Sequence, residues 1–261
     1  MNISLAHRHA VICGSTQGIG LATASALASL GATCILIARN EEALKTAVEK
    51  LSAKHGQQHS YRVADFSRQE DVQKAIEDIT SIHSITVLVN NTGGPKAGPI
   101  AEAVPEAFSN AFGQHLICNQ ILAQAVLPGM KSAGYGRIIN IVSTSVRTPL
   151  ANLGVSNTIR AAVASWAKSL SNEVGQYNIT VNNVLPGLTN TGRLQSLVQQ
   201  TAASQYTSAE TVEENMRNSV PMKRFGEAEE IANVVAFLAS PAASYVNGTS
   251  IPVDGGRTPT V

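Results

Sequence analysis

The stretch Cys13-Gly14-Ser15-Thr16-Gln17-Gly18-Ile19-Gly20 follows a short apolar run, residues 10–13, and precedes a segment rich in alanine and leucine. This order is typical of a strand, a tight glycine-rich turn and a helix. Glycines at such a turn let the backbone approach a ligand closely. The helix that follows directs its unpaired N–H groups and the positive end of its dipole toward the same place. The stretch therefore predicts a phosphate site, and we expect the pyrophosphate of a dinucleotide to lie against residues 14–20.

The composition favours a single layered domain. The chain has 261 residues, of which 44% are apolar and only 4% are aromatic, and its net charge is +1. Lysines and arginines are scattered, so we expect no nucleic-acid partner. The first residues do not resemble a secretory signal and no apolar run reaches membrane-spanning length, so we expect no membrane partner. The widely spaced cysteines Cys13, Cys34 and Cys118 favour neither disulfides nor a metal site, and they indicate a reducing, cytoplasmic location.

Apolar strand-like runs alternate with helical patterns along the chain. The runs at residues 33–38, 86–90 and 179–185 are apolar along most of their length, which is typical of strands that are buried on both faces. The alternation predicts an α/β fold, a single doubly wound Rossmann-type domain over residues 1–261 with a central, mostly parallel seven-stranded sheet. Ligands in such folds bind beyond the carboxyl ends of the strands, so we expect the segments that follow the strands to line one cleft.

Short polar signals mark where helices begin. Asn40 is expected to cap the helix that follows the second strand. Ser67 and Glu70 have the spacing of a capping box, and so do Thr207 and Glu210.

Two longer segments have contrasting patterns. A long helix is predicted over residues 105–133. Residues 188–220 are less regular, and we expect this segment to close over a substrate, although simple packing onto the sheet also explains its apolar residues.

The end of the second strand bears on the choice of cofactor. A glycine-rich turn alone is a weak signal, because an ordinary strand-to-helix connection can have the same residues. In NAD-binding proteins an acidic residue about 20 positions further on binds the ribose 2′-hydroxyl group. Here the sequence is Ala38-Arg39-Asn40, without an acid. The planar fork of Arg39 suits a 2′-phosphate, although an arginine at a helix start can also be merely solvated. We therefore expect NADP(H) rather than NAD(H).

Taken together, these residues resemble the short-chain dehydrogenases/reductases. Besides the glycine-rich turn, the sequence Asn90-Asn91-Thr92-Gly93 resembles the family's Asn-Asn-Ala-Gly motif, and Val253-Asp254-Gly255-Gly256 resembles its carboxyl-terminal signature. The resemblance runs in order from about residue 8 to residue 256. It implies a nicotinamide cofactor, a small-molecule substrate and a homo-tetramer or homo-dimer. By resemblance, the cofactor also contacts Asp65, Phe66, Asn91, Thr92, Gly93, Arg160, Pro186, Gly187 and Thr189.

The catalytic part of the pattern departs from the family. Members normally use a serine, a tyrosine about a dozen residues later, a lysine four residues after the tyrosine, and an asparagine on the preceding long helix. Ser143 matches the serine, but Ser156 stands at the tyrosine position and Arg160 at the lysine position. His115 takes the place of the asparagine. The chain therefore resembles a divergent member that lacks the Tyr-x-x-x-Lys pair, of the bacilysin-pathway reductase type.

These substitutes change the proton chemistry. A serine hydroxyl is a much weaker acid than a phenol, and an arginine does not readily give up a proton. His115 titrates near neutrality in its ordinary state and is a candidate proton donor, although a lone histidine on a helix is often only packed or solvated. Arg160 and the hydroxyl groups near Ser143 suffice for a conjugate reduction, in which the enolate needs charge stabilisation.

Two functions remain open from the sequence. The first is an NADPH-dependent oxidoreductase that reduces a small carbonyl or conjugated carbonyl compound through an altered proton relay, with Ser143, Ser156, Arg160 and His115 as its catalytic groups. The alternative is a non-catalytic NADP-binding protein on the same scaffold.

Overall fold

The apolar runs of the sequence form seven strands in the computed structural model, which describes residues 1–260. The interior positions of the five central strands are buried because helices cover both faces of the sheet, whereas the two edge strands are only partly buried. The strands are β1 (His9–Cys13), β2 (Thr33–Ala38), β3 (Ser60–Val63), β4 (Val87–Asn90), β5 (Gly136–Ile141), β6 (Ile179–Pro186) and β7 (Ser250–Val253).

Helices follow most of the strands. The predicted helix over residues 105–133 is present, and a π-helical turn, Gly113–Ile117, separates its two α-helical parts. The α-helices are α1 (Gly18–Ser29), α2 (Glu41–Glu49), α3 (Gln69–Thr80), α4 (Pro105–Phe112), α5 (Cys118–Ala133), α6 (Gly154–Val174), α7 (Gly192–Gln205), α8 (Ala209–Asn218) and α9 (Ala228–Ala239).

The strand order places the site. The sheet runs β3-β2-β1-β4-β5-β6-β7, and every pairing is parallel. The predicted doubly wound, seven-stranded sheet is therefore confirmed, and it is parallel throughout. The order reverses between β1 and β4, and in such sheets the ligand crevice lies at the carboxyl ends of the strands beside this reversal.

The two faces of the sheet carry separate apolar layers. On one face, Leu27 of α1 and Val235 of α9 are fully buried in one cluster. On the other face, Ile76 of α3 and Leu122 of α5 belong to a second cluster. Each of these side chains contributes about 1.5–3 kcal/mol on burial, so the layers hold the strand ends in fixed positions.

A row of amide side chains crosses the sheet from β4 to β7. Nδ2 of Asn90 donates to Oδ1 of Asn140 at 2.8 Å, and Nδ2 of Asn140 donates to Oδ1 of Asn183 at 2.9 Å. Nδ2 of Asn183 then donates to Oγ of Ser250 at 3.1 Å. Because the three asparagines are buried, this row needs its mutual hydrogen bonds, and it fixes the register of the strands that end at the site.

The capping predictions had different outcomes. The Asn40 side chain accepts a hydrogen bond from the backbone N–H of Ala43, as predicted. The prediction that Ser67 caps α3 was wrong, because that helix begins at Gln69 and Ser67 bonds Asp65 instead.

The predicted capping box of Thr207 and Glu210 was also wrong, by one residue. The side chain that caps α8 is that of Ser208, which accepts from the N–H of Thr211 at 3.1 Å. The sequence pattern also did not predict the two helices, α7 and α8, that lie within residues 188–220. These two helices pack together through a small apolar cluster that includes Leu194, Val198 and Val212.

The cysteines are buried and unpaired. Cys13, Cys34 and Cys118 are all free. Burial raises the pKa of Cys34 to about 12 and that of Cys118 to about 11, so both stay protonated thiols at neutral pH. Within residues 1–260, no group of three or more His, Cys, Asp and Glu side chains is placed to hold a metal ion. None of the helices in this range is long and apolar enough to cross a membrane.

Candidate active site

The glycine-rich turn after β1 has the geometry that its residues predicted. Gly14 and Gly18 have φ values of +57° and +53°, which side chains rarely adopt. A Cβ atom on Gly14 would lie 2.4 Å from the backbone oxygen of Asn91, and one on Gly20 would lie 2.1 Å from the backbone oxygen of Gly14. The turn is therefore restricted to glycine at these points, and it packs directly against the segment that follows β4.

Asn91 connects the glycine-rich turn to β4. Its Nδ2 donates to the backbone oxygen of Cys13 at 3.3 Å and to that of Gly14 at 3.1 Å. One side chain thus satisfies two carbonyl groups at the start of the turn. The turn is preorganised before any ligand arrives, which lowers the entropic cost of binding.

A single cavity of about 1160 Å³ lies above these strand ends. The volume exceeds the range of about 300–1,000 Å³ that is typical of drug-sized ligands, so it has room for a dinucleotide and a small substrate. The predicted cofactor residues on its wall are Gly14, Thr16, Gln17, Gly18, Ile19, Arg39, Asp65, Phe66, Asn91, Thr92, Gly93, Arg160, Pro186, Gly187 and Thr189.

Two predicted cofactor residues, Ser15 and Gly20, lie behind the wall. Ser15 is fully buried and its Oγ has no hydrogen-bond partner. The amino terminus of α1 begins at Gly18 in the same turn, where its free N–H groups favour an anion. An orphaned hydroxyl, a helix start and a preorganised glycine turn together fit a phosphate group.

The far end of the cavity fits an adenosine 2′-phosphate. Arg39 is exposed at the end of β2 and faces the cavity. Asp65 accepts from the N–H of Ser67 at 2.9 Å and from its hydroxyl at 2.8 Å, and these bonds lower the pKa of the Asp65 carboxyl group. Because Asp65 stays ionised and Ser67 holds it, it can accept hydrogen bonds from an adenine or ribose group.

The opposite end of the cavity carries Ser143 and Arg160. Ser143 follows β5, and its Oγ accepts from the N–H of Ser145 at 3.1 Å. Arg160, on α6, is buried except for the face on the cavity wall. Its Nη1 donates to the backbone oxygen of Ile141 at 2.8 Å, and its Nη2 donates to that of Thr92 at 3.4 Å. These bonds fix the positive charge of Arg160 at the ends of β4 and β5, on the same cavity wall as Ser143.

His115 and Ser156 do not reach the cavity wall. His115 lies in the π-helical turn and is almost fully buried, while its neighbour Gln114 lines the cavity. Burial, followed by the charges of Arg160 and Arg193, lowers the pKa of His115 to about 3. The expectation that His115 titrates near neutrality is therefore corrected. Ser156 is buried in the first turns of α6.

A hydroxyl group links His115 to the wall. Oγ1 of Thr92 lies 2.6 Å from Nδ1 of His115, and Thr92 itself lines the cavity. Thr92 stands where the family motif has alanine, so this link belongs to the divergent part of the pattern. The resemblance predicted a cofactor contact for Thr92 but no link to His115.

Arg193 is the functional candidate that the sequence did not single out. It lies in the first turn of α7 and on the cavity wall, where its Nη1 donates to the oxygen of Gly94 at 3.2 Å and its Nη2 to that of Pro95 at 3.0 Å. The signal was its position four residues after Thr189, the last residue of the predicted cofactor segment that begins at Pro186, but only the fold brings it opposite the segment that follows β4.

Comparisons with known proteins agree with this geometry. A family model described as Enoyl-(Acyl carrier protein) reductase matches residues 14–258. The NADPH-dependent reductase BacG of Bacillus subtilis (strain 168) is 32% identical over 254 residues, which are 97% of this chain and 98% of that protein. YwfH, an NADPH-dependent reductase involved in bacilysin biosynthesis, is 31% identical in a structural match with a TM-score of 0.92, covering 97% of this chain and 99% of that chain.

A further solved structure matches over the whole length. L-sorbose reductase from Gluconobacter frateurii, complexed with NADPH and L-sorbose, is 32% identical with a TM-score of 0.93, and the match covers 100% of both chains. The order of the motifs, the parallel seven-stranded sheet and these matches lead to one conclusion. The chain belongs to the short-chain dehydrogenase/reductase family.

Proposed function

We propose that this protein is an NADPH-dependent oxidoreductase that reduces a small carbonyl or conjugated carbonyl compound through an altered proton relay. The observation that carries the proposal is that the Ser143 hydroxyl and the Arg160 guanidinium line the same cavity as the glycine-rich turn. Support also comes from the relatives BacG and YwfH, which are described as NADPH-dependent reductases.

The cofactor assignment rests on residues that fit its parts. The turn at residues 14–20 suits the pyrophosphate, Arg39 suits the 2′-phosphate, and Asp65 suits the adenosine. The Pro186-Gly187-Thr189 segment and Arg160 lie on the wall at the other end, where the nicotinamide and its ribose would be held. When bound, the reduced cofactor supplies a hydride.

Ser143 and Arg160 would act on the substrate oxygen. A carbonyl carbon, or the β-carbon of an enone, accepts the hydride, and negative charge then develops on the oxygen. The Ser143 hydroxyl donates a hydrogen bond to that oxygen, and the buried charge of Arg160 stabilises it. The oxygen or the α-carbon finally takes a proton from solvent, which gives an alcohol or a saturated ketone. Conjugate reduction suits this site best, because the charge of an enolate is delocalised, so the anion can form with a hydrogen bond and a nearby positive charge and needs no strong acid at the oxygen.

Thr92 and His115 replace part of the missing relay. The Thr92 hydroxyl faces both the cavity and His115, so it can pass a hydrogen bond to the substrate side. His115 acts through Thr92 and is therefore a positioning residue. Ser156 supports α6 four residues before Arg160 on the same helix face, and we assign it the same kind of role.

The assembly and compartment are part of the same proposal. Ile100, Val104 and Phe112 are apolar side chains that remain substantially exposed beside α4. Such a row suits a subunit interface, in keeping with a homo-tetramer or homo-dimer. The free, protonated cysteines suit a reducing cytoplasm.

The test is NADPH oxidation by the purified protein with a panel of small ketones and enones. We expect turnover with at least one enone, and a loss of about hundredfold or more in kcat for Ser143→Ala. Ser169→Ala, which changes an exposed serine of α6, is the matched control and should leave kcat unchanged. Tight NADPH binding without oxidation by any panel member would instead support a non-catalytic NADP-binding protein.

A further inference from the structure

The reaction end of the cavity holds two guanidinium groups. Arg160 projects from α6 and Arg193 from α7, and both line the wall. All four of their hydrogen-bond partners are backbone carbonyl oxygens. Carbonyl oxygens orient a guanidinium but do not neutralise its charge. None of the ion pairs formed within residues 1–260 includes either arginine.

The two guanidinium groups bind neighbouring parts of one segment, since Arg160 donates to the backbone oxygen of Thr92 and Arg193 to that of Gly94, two residues later. Their positive charges therefore oppose each other. Burial, and then the charge of Arg193, lowers the pKa of Arg160 to about 10, and both arginines act on the pKa of His115. Arginines outside this cavity are paired with carboxylates, as Arg217 of α8 is with Glu213. The unneutralised pair is thus a local feature of the cavity, and a bound anion would relieve its repulsion.

The negative charges of the cofactor do not account for this pair. Its pyrophosphate belongs at the glycine-rich turn and its 2′-phosphate at Arg39, whereas the nicotinamide carries no negative charge. The Arg193 guanidinium lies over Gly94, since a Cβ atom there would be 3.0 Å from its Nη2. Gly94 comes two residues after Thr92, whose backbone oxygen accepts a hydrogen bond from Arg160.

We propose that the substrate carries a carboxylate group and that Arg193 binds it. This inference rests on the proposed reductase function and names the chemical class of its substrate, a keto acid or an unsaturated keto acid. The guanidinium fork can hold both carboxylate oxygens, and the first turn of α7 adds the positive end of its dipole. Leu194 and Leu197 on the same wall would contact the apolar part of the substrate. The reducible bond then lies between Arg193 and the pair Ser143 and Arg160.

The test compares acids with their methyl esters. The probes are benzoylacrylate, phenylpyruvate and their methyl esters, assayed by NADPH oxidation. We expect kcat/KM of the wild-type protein to be higher for an acid than for its ester by roughly tenfold or more, because a hydrogen bond to a charged group is worth about 1.5–3 kcal/mol. Arg193→Gln should remove this preference by raising KM for the acid, and Arg193→Lys should keep part of it. Arg217→Gln is the control for loss of an arginine outside the cavity and should preserve the preference.

A second measurement separates this inference from the reductase proposal. NADPH affinity, measured by fluorescence titration without substrate, should be the same for Arg193→Gln and the wild type. Weaker NADPH binding with an unchanged acid preference would assign Arg193 to the pyrophosphate and overturn the inference. If no probe is reduced, the shift in unfolding temperature that each probe causes in the NADPH-saturated protein still tests the carboxylate site. Stabilisation by phenylpyruvate but not by its ester, lost in Arg193→Gln, supports the carboxylate site, and equal shifts overturn it.

Discussion

Oγ1 of Thr92 lies 2.6 Å from Nδ1 of His115, and Nε2 of the same imidazole is buried without a hydrogen-bond partner. His115 therefore contacts the cavity only through the Thr92 hydroxyl group. The π-helical turn between α4 and α5 places the ring here instead of on the wall. By the resemblance, an asparagine and an alanine are expected at positions 115 and 92, where this chain has a histidine and a threonine that form a hydrogen bond with each other.

The Thr92 hydroxyl group should matter for turnover. Thr92→Val keeps the shape of the side chain but removes the hydrogen bond, so we expect kcat to fall by roughly two- to tenfold, the value of one hydrogen bond of about 0.5–1.5 kcal/mol. Thr92→Ser restores the hydroxyl and should recover most of the rate. Steady-state kinetics with a reducible enone measures both variants. Equal rates for the valine and serine variants would remove Thr92 from the relay.

His115 should affect stability in acid rather than the pH profile of catalysis. Its pKa is about 3 in the folded chain and near its ordinary value of 6.5 when unfolded, because burial disfavours the charged form. Between these values the unfolded state binds the extra proton, so the free energy of unfolding falls as the pH is lowered from about 6.5 toward 3. Above pH 6.5 the effect is absent.

The measurement is urea unfolding of the wild type and His115→Gln from pH 7 to pH 4. The wild type should lose stability relative to the variant with a slope approaching about 1.4 kcal/mol per pH unit, the value for one proton. The other histidines cancel in this difference. Parallel curves would mean that His115 takes up its proton over the same pH range in the folded and the unfolded protein, which would contradict the lowered pKa.

Arg39 should select NADPH over NADH. Arg39→Asp loses a bond to the 2′-phosphate and adds a repulsive charge, so we expect NADPH affinity to fall by roughly ten- to hundredfold or more while NADH affinity changes little. Lys54→Asp makes the same change of charge at an exposed position outside the cavity and serves as the control. Fluorescence titration with both nucleotides decides the point, and an equal effect on both would exclude Arg39 as the 2′-phosphate partner.

The asparagine row should contribute strongly to stability. Asn140→Leu leaves Nδ2 of Asn90 and Oδ1 of Asn183 without a partner, and at about 1–3 kcal/mol per orphaned group we expect a loss of about 2–6 kcal/mol in the free energy of unfolding. Ser250→Ala breaks only the last bond of the row, at a partly exposed side chain, and should cost about 1 kcal/mol. Urea unfolding compares the two variants. A loss no larger for Asn140→Leu than for Ser250→Ala would contradict the structural role of the row.

The sequence predicted what depends on local pattern. The strand, turn and helix at residues 10–29 followed from an apolar run and glycines, and the parallel sheet followed from strands without a polar face. The position of Asn91 against Gly14 required the family motif, since 77 residues separate the two groups.

What the sequence missed depends on the relative rotation of helices. Within the π-helical turn Gln114 lines the wall and His115 is buried, and no sequence periodicity distinguishes such a turn from the α-helices around it. Within residues 188–220, α7 buries only Leu194, Val198 and Ala202, so its apolar pattern is too sparse to predict the helix, and Arg193 was not singled out. The role of Arg193 could be recognised only from the fold, which places its guanidinium group against Gly94.

Transfer of deuterium to the product from NADPH that carries deuterium at both C4 positions tests the central claim most directly. Mass spectrometry of a reduced enone should show a single deuterium on its β-carbon when the wild-type protein is used. Arg160→Met keeps much of the side-chain volume but removes the charge, and it should slow this transfer by about hundredfold or more. Product without deuterium, or equal transfer by the wild type, Arg160→Met and Ser143→Ala, would contradict reduction at the Ser143 and Arg160 end of the cavity.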